Sequence, residues 1–525
     1  MADFNYHEIL EQDANKMGDQ FWLLFENDRL SYAAVNEAAN RTGHALIKLG
    51  LGPGQGLAIM MPNGPEFLYG FFASQKIGAY AVPVNTELKG EHLAYQLNHC
   101  DASAFLIHHS LLPEWQKIQK DTPKIKHILV GLREAPAGYR SPAGAIPFEP
   151  LLQSENPEQP ATRPKEGDVC LLMYTSGTTG QAKGVVYRFG KTGLNGIGLI
   201  AKGFYKPDDT LYTCLPLFHA NALYVSMPSS LFAGIRLALG RRFSASRFWD
   251  DVRRYGATTF NALGAMIPIL MKQPEKPNDA DNPVRMVLSA ACPATVWQAF
   301  EKRFNLKILE FYGAVDGGGF AVFNLGNAPV GSIGLLPPGT GRVVDEDLKD
   351  CPPGEPGELI FKVDAAKEKR VEYFKDDQAT NEKVHDGWLF TGDLVYRDEK
   401  NFLYFVDRKK DAMRRRGENI SSYEVEKVVN RFPSVLESAS FGVKSDLGED
   451  DVMVCVKPRP GEKVDPEALY EFCVKEMPRY MIPRFIRVMD ELPKTETHRV
   501  KKNLLKSQGA VEGTWDEEKS RGRRK

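Results

Sequence analysis

The sequence predicts an α/β protein: a large multi-subdomain N-terminal domain of mixed and parallel sheets flanked by helices, followed by a small α+β C-terminal domain. Three observations lead there. At 525 residues the chain is too long for one ordinary core. Short apolar runs, each closed by Gly, Pro, Ser or Thr, alternate with helical stretches, which is the rhythm of a parallel sheet. A charged run, Asp407-Arg408-Lys409-Lys410-Asp411, then sets off a last segment with a strand and helix pattern of its own.

Taken in order, Leu57 to Met61 reads as a strand stopped by Pro62-Asn63-Gly64-Pro65, with a helix from Glu66 and a second strand from Ala79 to Val84. The segment from Glu134 to Lys165 carries Pro136, Pro142, Pro147, Pro150, Pro157, Pro160 and Pro164, and reads as a long surface connection between two sheet-building regions. Beyond it lie the runs Val169 to Met173, Leu211 to Leu215, Met286 to Leu288 and Ile308 to Phe311. Ligands of open α/β sheets collect outside the carboxyl ends of strands, so the polar turns after these runs are the expected site. The last segment predicts strands at Leu436 to Val443, Asp451 to Lys457 and Phe485 to Met489, and a helix from Pro466 to Met477. The expected division is a large domain over 1–409, a small one over 410–511, and a disordered tail over 512–525, where residues are mostly charged or small.

Composition narrows the function. With 42% hydrophobic and 26% charged residues the chain is globular, and a net charge of −1 offers nucleic acid or acidic lipid no general attraction. No stretch approaches the roughly 18–20 apolar residues of a transmembrane segment, and no secretory signal is visible at the start. Seven dispersed cysteines without C-x-x-C pairing argue against a disulfide framework or zinc site and for a reducing, cytoplasmic setting. A homodimer is compatible with all of this.

The sharpest local signal is Tyr174-Thr175-Ser176-Gly177-Thr178-Thr179-Gly180-Gln181-Ala182-Lys183-Gly184, directly after a predicted strand. Its glycines let backbone N–H groups converge, its hydroxyls add donors, and Lys183 adds a mobile positive charge, together a cradle for polyphosphate. It is not a Walker A loop, because Ala182 stands where that motif has its second glycine and Gly184 where it has Ser or Thr.

With this loop the chain resembles the adenylate-forming superfamily of acyl-CoA synthetases, luciferases and peptide-synthetase adenylation domains. The resemblance spans roughly Gln20 to Lys506. It runs through Tyr312-Gly313-Ala314-Val315-Asp316, Gly354-Glu355-Pro356-Gly357-Glu358-Leu359, Thr391-Gly392-Asp393, Asp407 to Asp411, Gly417-Glu418-Asn419-Ile420 and Pro493-Lys494-Thr495. It implies ATP, Mg²⁺ and coenzyme A, and roles for residues of this chain. Thr175 to Gly180 (Thr175, Ser176, Gly177, Thr178, Thr179, Gly180) and Lys183 take the phosphates; Ala291, Cys292 and Pro293 lie along adenine. Tyr312 stacks on the base beside Gly313 and Val315, Asp316 holds the metal, and Asp393 with Arg408 takes the ribose. Asp407 to Asp411 is then either a hinge at Lys410, about which a mobile C-terminal domain turns, or a charged linker, and the context favours the hinge.

Three positions depart from the superfamily. Val315 replaces its usual threonine, which removes a phosphate donor, and Asp316 is shorter than the usual glutamate. Arg499 stands where the adenylation lysine belongs, so a cation among Arg499, Lys501 and Lys502 is expected to serve, since arginine's planar fork is no simple copy of lysine. These departures keep a non-catalytic nucleotide- or acyl-binding protein as the competing reading, which ATP–pyrophosphate exchange separates.

Arg242 to Trp249, Gly256 to Asn261 and Gly417-Glu418-Asn419-Ile420-Ser421 look like the branch of carnitine-CoA ligases and fatty-acid-transport-type synthetases, which points to coenzyme A at Gly417 and Glu418. His219 aligns with a gate at the acyl pocket, and Asn221, Gly264, Gly317 and Gly318 would line it. With no charged residue assignable to a charged tail, an apolar aliphatic, alicyclic or aromatic acid is preferred to carnitine. Each chemical step is reversible.

Overall fold

The computed structural model describes residues 3–175, 182–263, 266–363, 371–409, 413–415, 418–444, 450–477, 479, 481–495 and 500–521. Two compact units form, 1–331 with 363–387, and 332–362 with 388–525.

The first unit rests on two sheets. Among the described residues one has seven strands, ordered Ala145–Pro147, His127–Gly131, Ala102–His108, Gly56–Met60, Tyr80–Pro83, Val169–Tyr174 and Gly184–Arg188. Neighbours are parallel except the last pair, an antiparallel hairpin. Every residue of Gly56–Met60 is buried, as a strand covered on both faces requires. Pro65 then starts the helix Pro65–Lys76, where its missing N–H is no loss. That helix is buried throughout, and its charges are paired: Lys76 Nζ lies 2.7 Å from Glu11, and Glu66 2.8 Å from Arg133.

The second sheet has eight strands among the described residues, ordered Ala321–Asn324, Lys307–Gly313, Met286–Ala290, Thr259–Leu263, Thr210–Thr213, Arg236–Leu239, Phe21–Phe25 and Asp28–Ser31. Its interior is parallel and both edges are antiparallel. One apolar core, including Trp22, Phe71, Leu171, Leu211 and Phe260, runs through both sheets.

The proline-rich segment does less dividing than its composition suggests. Ala145–Pro147 adds an edge strand beside His127–Gly131, and Val169–Tyr174 returns to pair with Tyr80–Pro83 in the same sheet. Proline suits that edge, where a ladder donor is not needed.

The second unit holds an antiparallel sheet, ordered Gly334–Leu335, Phe402–Arg408, Trp388–Arg397, Gly357–Lys362 and Gly341–Val344. It also holds a sheet ordered Val435–Lys444, Asp450–Pro458, Phe485–Val488 and Trp515–Asp516. Asp450–Pro458, the helix Pro466–Glu476 and Phe485–Val488 form a parallel β-α-β unit, as the sequence pattern predicts. The compact units part at 331/332 rather than at the charged run, which lies inside the second unit. The reason is local: Asp407 accepts hydrogen bonds from the Ser422 N–H at 2.8 Å and hydroxyl at 2.6 Å, and Ser421 Oγ donates to the Val406 carbonyl at 2.9 Å. These tie Phe402–Arg408 to the helix Ser422–Val429. Lys410, the expected hinge, lies outside the described residues.

The tail expectation is corrected through residue 521. Trp515–Asp516 pairs with Phe485–Val488, and Glu517–Arg521 is helical. The Trp515 ring packs 5.2 Å from that of Tyr470, and Arg484 pairs with Glu518 at 2.9 Å. A partly buried aromatic ring, a strand pairing and an ion pair outweigh the polar composition on which disorder was expected.

Candidate active site

The site of the first unit gathers where strands of the two sheets end. Tyr174 and Gly184 are cross-strand partners, and the Thr175 N–H donates to the Lys183 carbonyl at 2.9 Å, so the base of the phosphate loop is closed by a hairpin. The chain returns as a strand rather than a helix, which separates this loop from a Walker loop in geometry as well as sequence. Gly184 packs closely there: a Cβ would stand 3.2 Å from the Tyr174 ring, whose hydroxyl lies 2.7 Å from His99 Nδ1. Burial holds the His99 imidazole below its usual pKa. Residues 176–181, including Ser176, Gly177, Thr178, Thr179 and Gly180, lie outside the described residues.

Lys183 stands over the Tyr373 ring, 5.3 Å from its centroid, and its ammonium is 3.4 Å from Asp376. Asp376 caps the helix Asp377–Lys383 by accepting from the Ala379 N–H, which with Lys183 keeps its carboxyl below the usual range. Tyr373 reaches the other way. Its hydroxyl donates to Asp316 Oδ2 at 2.6 Å, and the Lys383 ammonium sits 3.0 Å from the same oxygen. One layer further in, the Tyr187 hydroxyl donates to the Val315 carbonyl at 2.9 Å. Two tyrosine hydroxyls thus hold the turn at Val315 and Asp316.

The turn itself explains two glycines without a pocket. Gly317 has no room for a Cβ, which would stand 2.9 Å from the Ala314 carbonyl oxygen, and Gly318 has φ of 60°. Backbone geometry accounts for glycine at both positions. Gly264 lies outside the described residues.

The adenine segment follows Met286–Ala290. Ala291 takes a left-handed φ of 69°, and Pro293 leads into the helix Ala294–Phe304. The turn is held by Glu310, on the adjacent strand. Its carboxyl accepts from the Ala291 N–H and, at 3.2 Å, from the Cys292 N–H. Glu310 is 2% exposed, and burial pushes its pKa up to about 8. The Cys292 thiol is buried and its N–H donates to Glu310. Tyr312 is half-buried and Gly313 exposed on the strand that carries Glu310.

His219 and Asn221 stand at a widened helical turn, Asn221–Ser226, a distortion common at functional sites. His219 is half-buried, its ring 4.7 Å from that of Phe218. Ser226 Oγ accepts from Asn261 Nδ2 at 2.8 Å and donates to the Asn221 carbonyl at 3.0 Å.

In the second unit Asp393 is buried, and Arg408, directly opposite on the neighbouring strand, pairs with it at 2.7 Å. Cross-strand register sets the Asp393 carboxylate against Arg408. Lys502 is likewise engaged: its ammonium is 2.7 Å from Glu426 and donates to Ser422 Oγ. Lys501 is half-buried just before the helix Lys502–Gln508 and makes no ion pair among the described residues. Arg499 and Gly417 lie outside the described residues, as does the side chain of Glu418.

Residues 10–365 match the family model of AMP-binding enzymes, and 424–499 match its C-terminal domain. The chain belongs to the AMP-binding enzyme family. Among curated relatives it is 30% identical to the crotonobetaine/carnitine–CoA ligase of Salmonella typhi over 534 residues, covering 95% of this chain and 98% of that protein. It is also 30% identical to the mouse (Mus musculus) long-chain fatty acid transport protein 6 over 520 residues, covering 93% and 82%. Among solved structures, an anthranilate CoA ligase in complex with anthranoyl-AMP superposes with a TM-score of 0.84 at 23% identity, covering 97% and 98%. A benzoate CoA ligase from Burkholderia xenovorans LB400 gives 0.81 at 22%, covering 96% and 100%. These two establish the fold.

For a member of the AMP-binding enzyme family, the described site contains side chains that the sequence did not single out, among them Glu310, Tyr373 and Lys383. Glu310 had a signal, a charged residue inside the apolar run Ile308 to Phe311 on a face that a parallel sheet buries. Tyr373 and Lys383 had none, because they come from a segment that joins the phosphate hairpin only in three dimensions, where the Val186 N–H donates to the Glu372 carbonyl at 2.9 Å.

Proposed function

We propose that this protein is an ATP-dependent carboxylic acid:coenzyme A ligase, forming an acyl-adenylate and pyrophosphate, then an acyl-CoA thioester and AMP. The observation that carries the reading is the meeting of Lys183 and Asp316 on the two sides of Tyr373. It pairs a mobile cation suited to a polyphosphate with a hard oxygen donor suited to the metal that accompanies one. Mg²⁺ fits that donor set, since it needs only one or two protein carboxylates and takes other ligands from phosphate and water. When bound it would draw charge from phosphoryl oxygens.

The chain's own residues position and stabilise. The substrate carboxylate attacks the α-phosphorus and pyrophosphate leaves, with no side-chain nucleophile. The phosphate loop and Lys183 take the polyphosphate, Tyr312 and the Ala291 turn take adenine, and ribose is assigned to Asp393 with Arg408, as the family resemblance implies. Coenzyme A as acceptor is supported by full-length similarity to CoA ligases and by Gly417-Glu418. An apolar aliphatic, alicyclic or aromatic acid enters past His219 and Asn221. The seven cysteines are all free thiols, in keeping with a cytoplasmic setting, and among the described residues no helix is long and apolar enough to cross a membrane.

ATP–pyrophosphate exchange with a panel of acids, followed by thioester formation on adding coenzyme A, tests the reading. Exchange with at least one acid and CoA-dependent AMP release are expected; absence of exchange with every acid overturns it.

The adenylation cation can be sorted in the same assay. Lys502→Ala is expected to destabilise the second unit, by about 1.5–3 kcal/mol for a lost charged hydrogen bond, while the folded fraction still exchanges pyrophosphate. Lys501→Ala should leave the melting temperature in place, and Arg499→Ala is assayed beside it. At least one of them should slow exchange tenfold or more. Normal exchange in both would remove the C-terminal cation from the mechanism.

A further inference from the structure

The helix Asp377–Lys383 touches the phosphate site at both ends. Asp376, its cap, pairs with Lys183 at 3.4 Å, and Lys383, its last residue, pairs with Asp316 at 3.0 Å. Tyr373 stands between the pairs, its ring under Lys183 and its hydroxyl on Asp316. Two lysines and two aspartates thus sit as two crossed ion pairs around one tyrosine, balanced in charge. Lys383 is the more enclosed of the lysines, its side chain 13% exposed against 44% for Lys183.

This is an odd use for Asp316 if its task is to hold a metal, because a lysine already occupies the carboxylate. It makes sense if the pairs exchange partners. A partly buried carboxylate and ammonium left bare are less favourable than the pair, so each serves as the other's counter-ion until a ligand with both charges arrives. ATP with its metal brings both. The metal cation suits Asp316, and the polyphosphate, still net negative with the metal bound, suits the released ammonium. The chain lacks a hydroxyl at Val315, and a lysine brought in from outside the recognised motifs supplies a donor nearby.

Resting on the ligase reading, we propose that Lys383 is a second phosphate-binding cation, held on Asp316 while the nucleotide is absent and transferred to the polyphosphate when Mg²⁺–ATP binds. Its long stem allows the short move, and Tyr373 keeps Asp316 aimed while the partner changes.

The test is ATP binding by titration calorimetry across a Mg²⁺ series, on wild type, Lys383→Met and Lys383→Arg, each first checked for an unchanged melting transition. Loss of a charged hydrogen bond predicts about tenfold weaker ATP binding at saturating Mg²⁺ for Lys383→Met. Loss of the competing ammonium on Asp316 predicts a lower Mg²⁺ concentration for half-maximal binding, by roughly threefold, since one exposed-to-partly-buried pair contributes modestly. Lys383→Arg should stay near wild type in both. A Mg²⁺ midpoint unmoved in Lys383→Met overturns the proposal whatever the affinity, because mere structural damage weakens ATP without changing its metal dependence. Wild-type protein that binds no ATP at any Mg²⁺ concentration overturns the ligase reading itself, a distinct result.

Discussion

Replacing Asp316 by alanine is expected to slow acyl-adenylate formation about 10²- to 10³-fold, the range seen when a preorganised group that stabilises transition-state charge is removed. The carboxylate is the point to which the Tyr373 hydroxyl and the Lys383 ammonium converge, so its loss releases two further groups from their positions. Stability should fall much less. The Asp316 and Lys383 side chains are 18% and 13% exposed, and water can reach the ammonium left behind. The rate and the melting temperature therefore part company, which a structural role would not produce. Asp316→Glu, longer by about 1.5 Å, should retain far more activity than alanine, because it keeps the charge and restores the length usual in the superfamily. Pyrophosphate release from Asp316→Ala within threefold of wild type would take this carboxylate out of the mechanism.

What the sequence disclosed divides along a physical line. Strands covered on both faces leave dense apolar runs, so Gly56–Met60, Val169–Tyr174 and Met286–Ala290 were legible with errors of a residue or two at their ends. Which sheet each joins was not. Val169–Tyr174 pairs with Tyr80–Pro83 across a long proline-rich connection, and Phe21–Phe25 pairs with Arg236–Leu239, more than two hundred residues on. Periodicity reports burial and carries no information on partner choice.

The site divides in the same way. Lys183, Tyr312 and Asp316 were legible because each belongs to a compact motif whose chemistry shows in its own residues. The state of Asp393 was not, because its pairing with Arg408 follows from antiparallel register between two strands. Lys502 was legible as a cation but not as one held by Glu426 and Ser422. Trp515 shows the limit of composition: a tail rich in charge is docked by a ring contact, a strand pairing and an ion pair.

Glu310 carries the other large expected effect, and it reads out on stability. Glu310→Ala leaves the Ala291 and Cys292 N–H groups without an acceptor in a buried place, at about 1–3 kcal/mol each. It also releases a turn whose left-handed φ of 69° at Ala291 is unfavourable for a non-glycine residue. A loss of about 3–5 kcal/mol from the first unit's unfolding transition is expected, with ATP binding weakened because the adenine turn is no longer held. Glu310→Gln keeps an acceptor in the same place and should recover most of both.

The pH dependence distinguishes the two side chains. Burial raises the folded-state pKa of Glu310 from 4.5 to about 8, so between these values the folded protein keeps a proton that the unfolded chain has lost. Protons bound by the folded state in excess of the unfolded one make stability fall as pH rises. The contribution is therefore full below about pH 4.5, declines by at most about 1.4 kcal/mol per pH unit through the window, and is level above about pH 8. Wild type should melt at a lower temperature at pH 8 than at pH 6 by an amount that Glu310→Gln, which cannot ionise, does not show. Parallel melting curves for the two proteins across that range would mean that Glu310 is ionised in the folded state and holds the turn as a carboxylate.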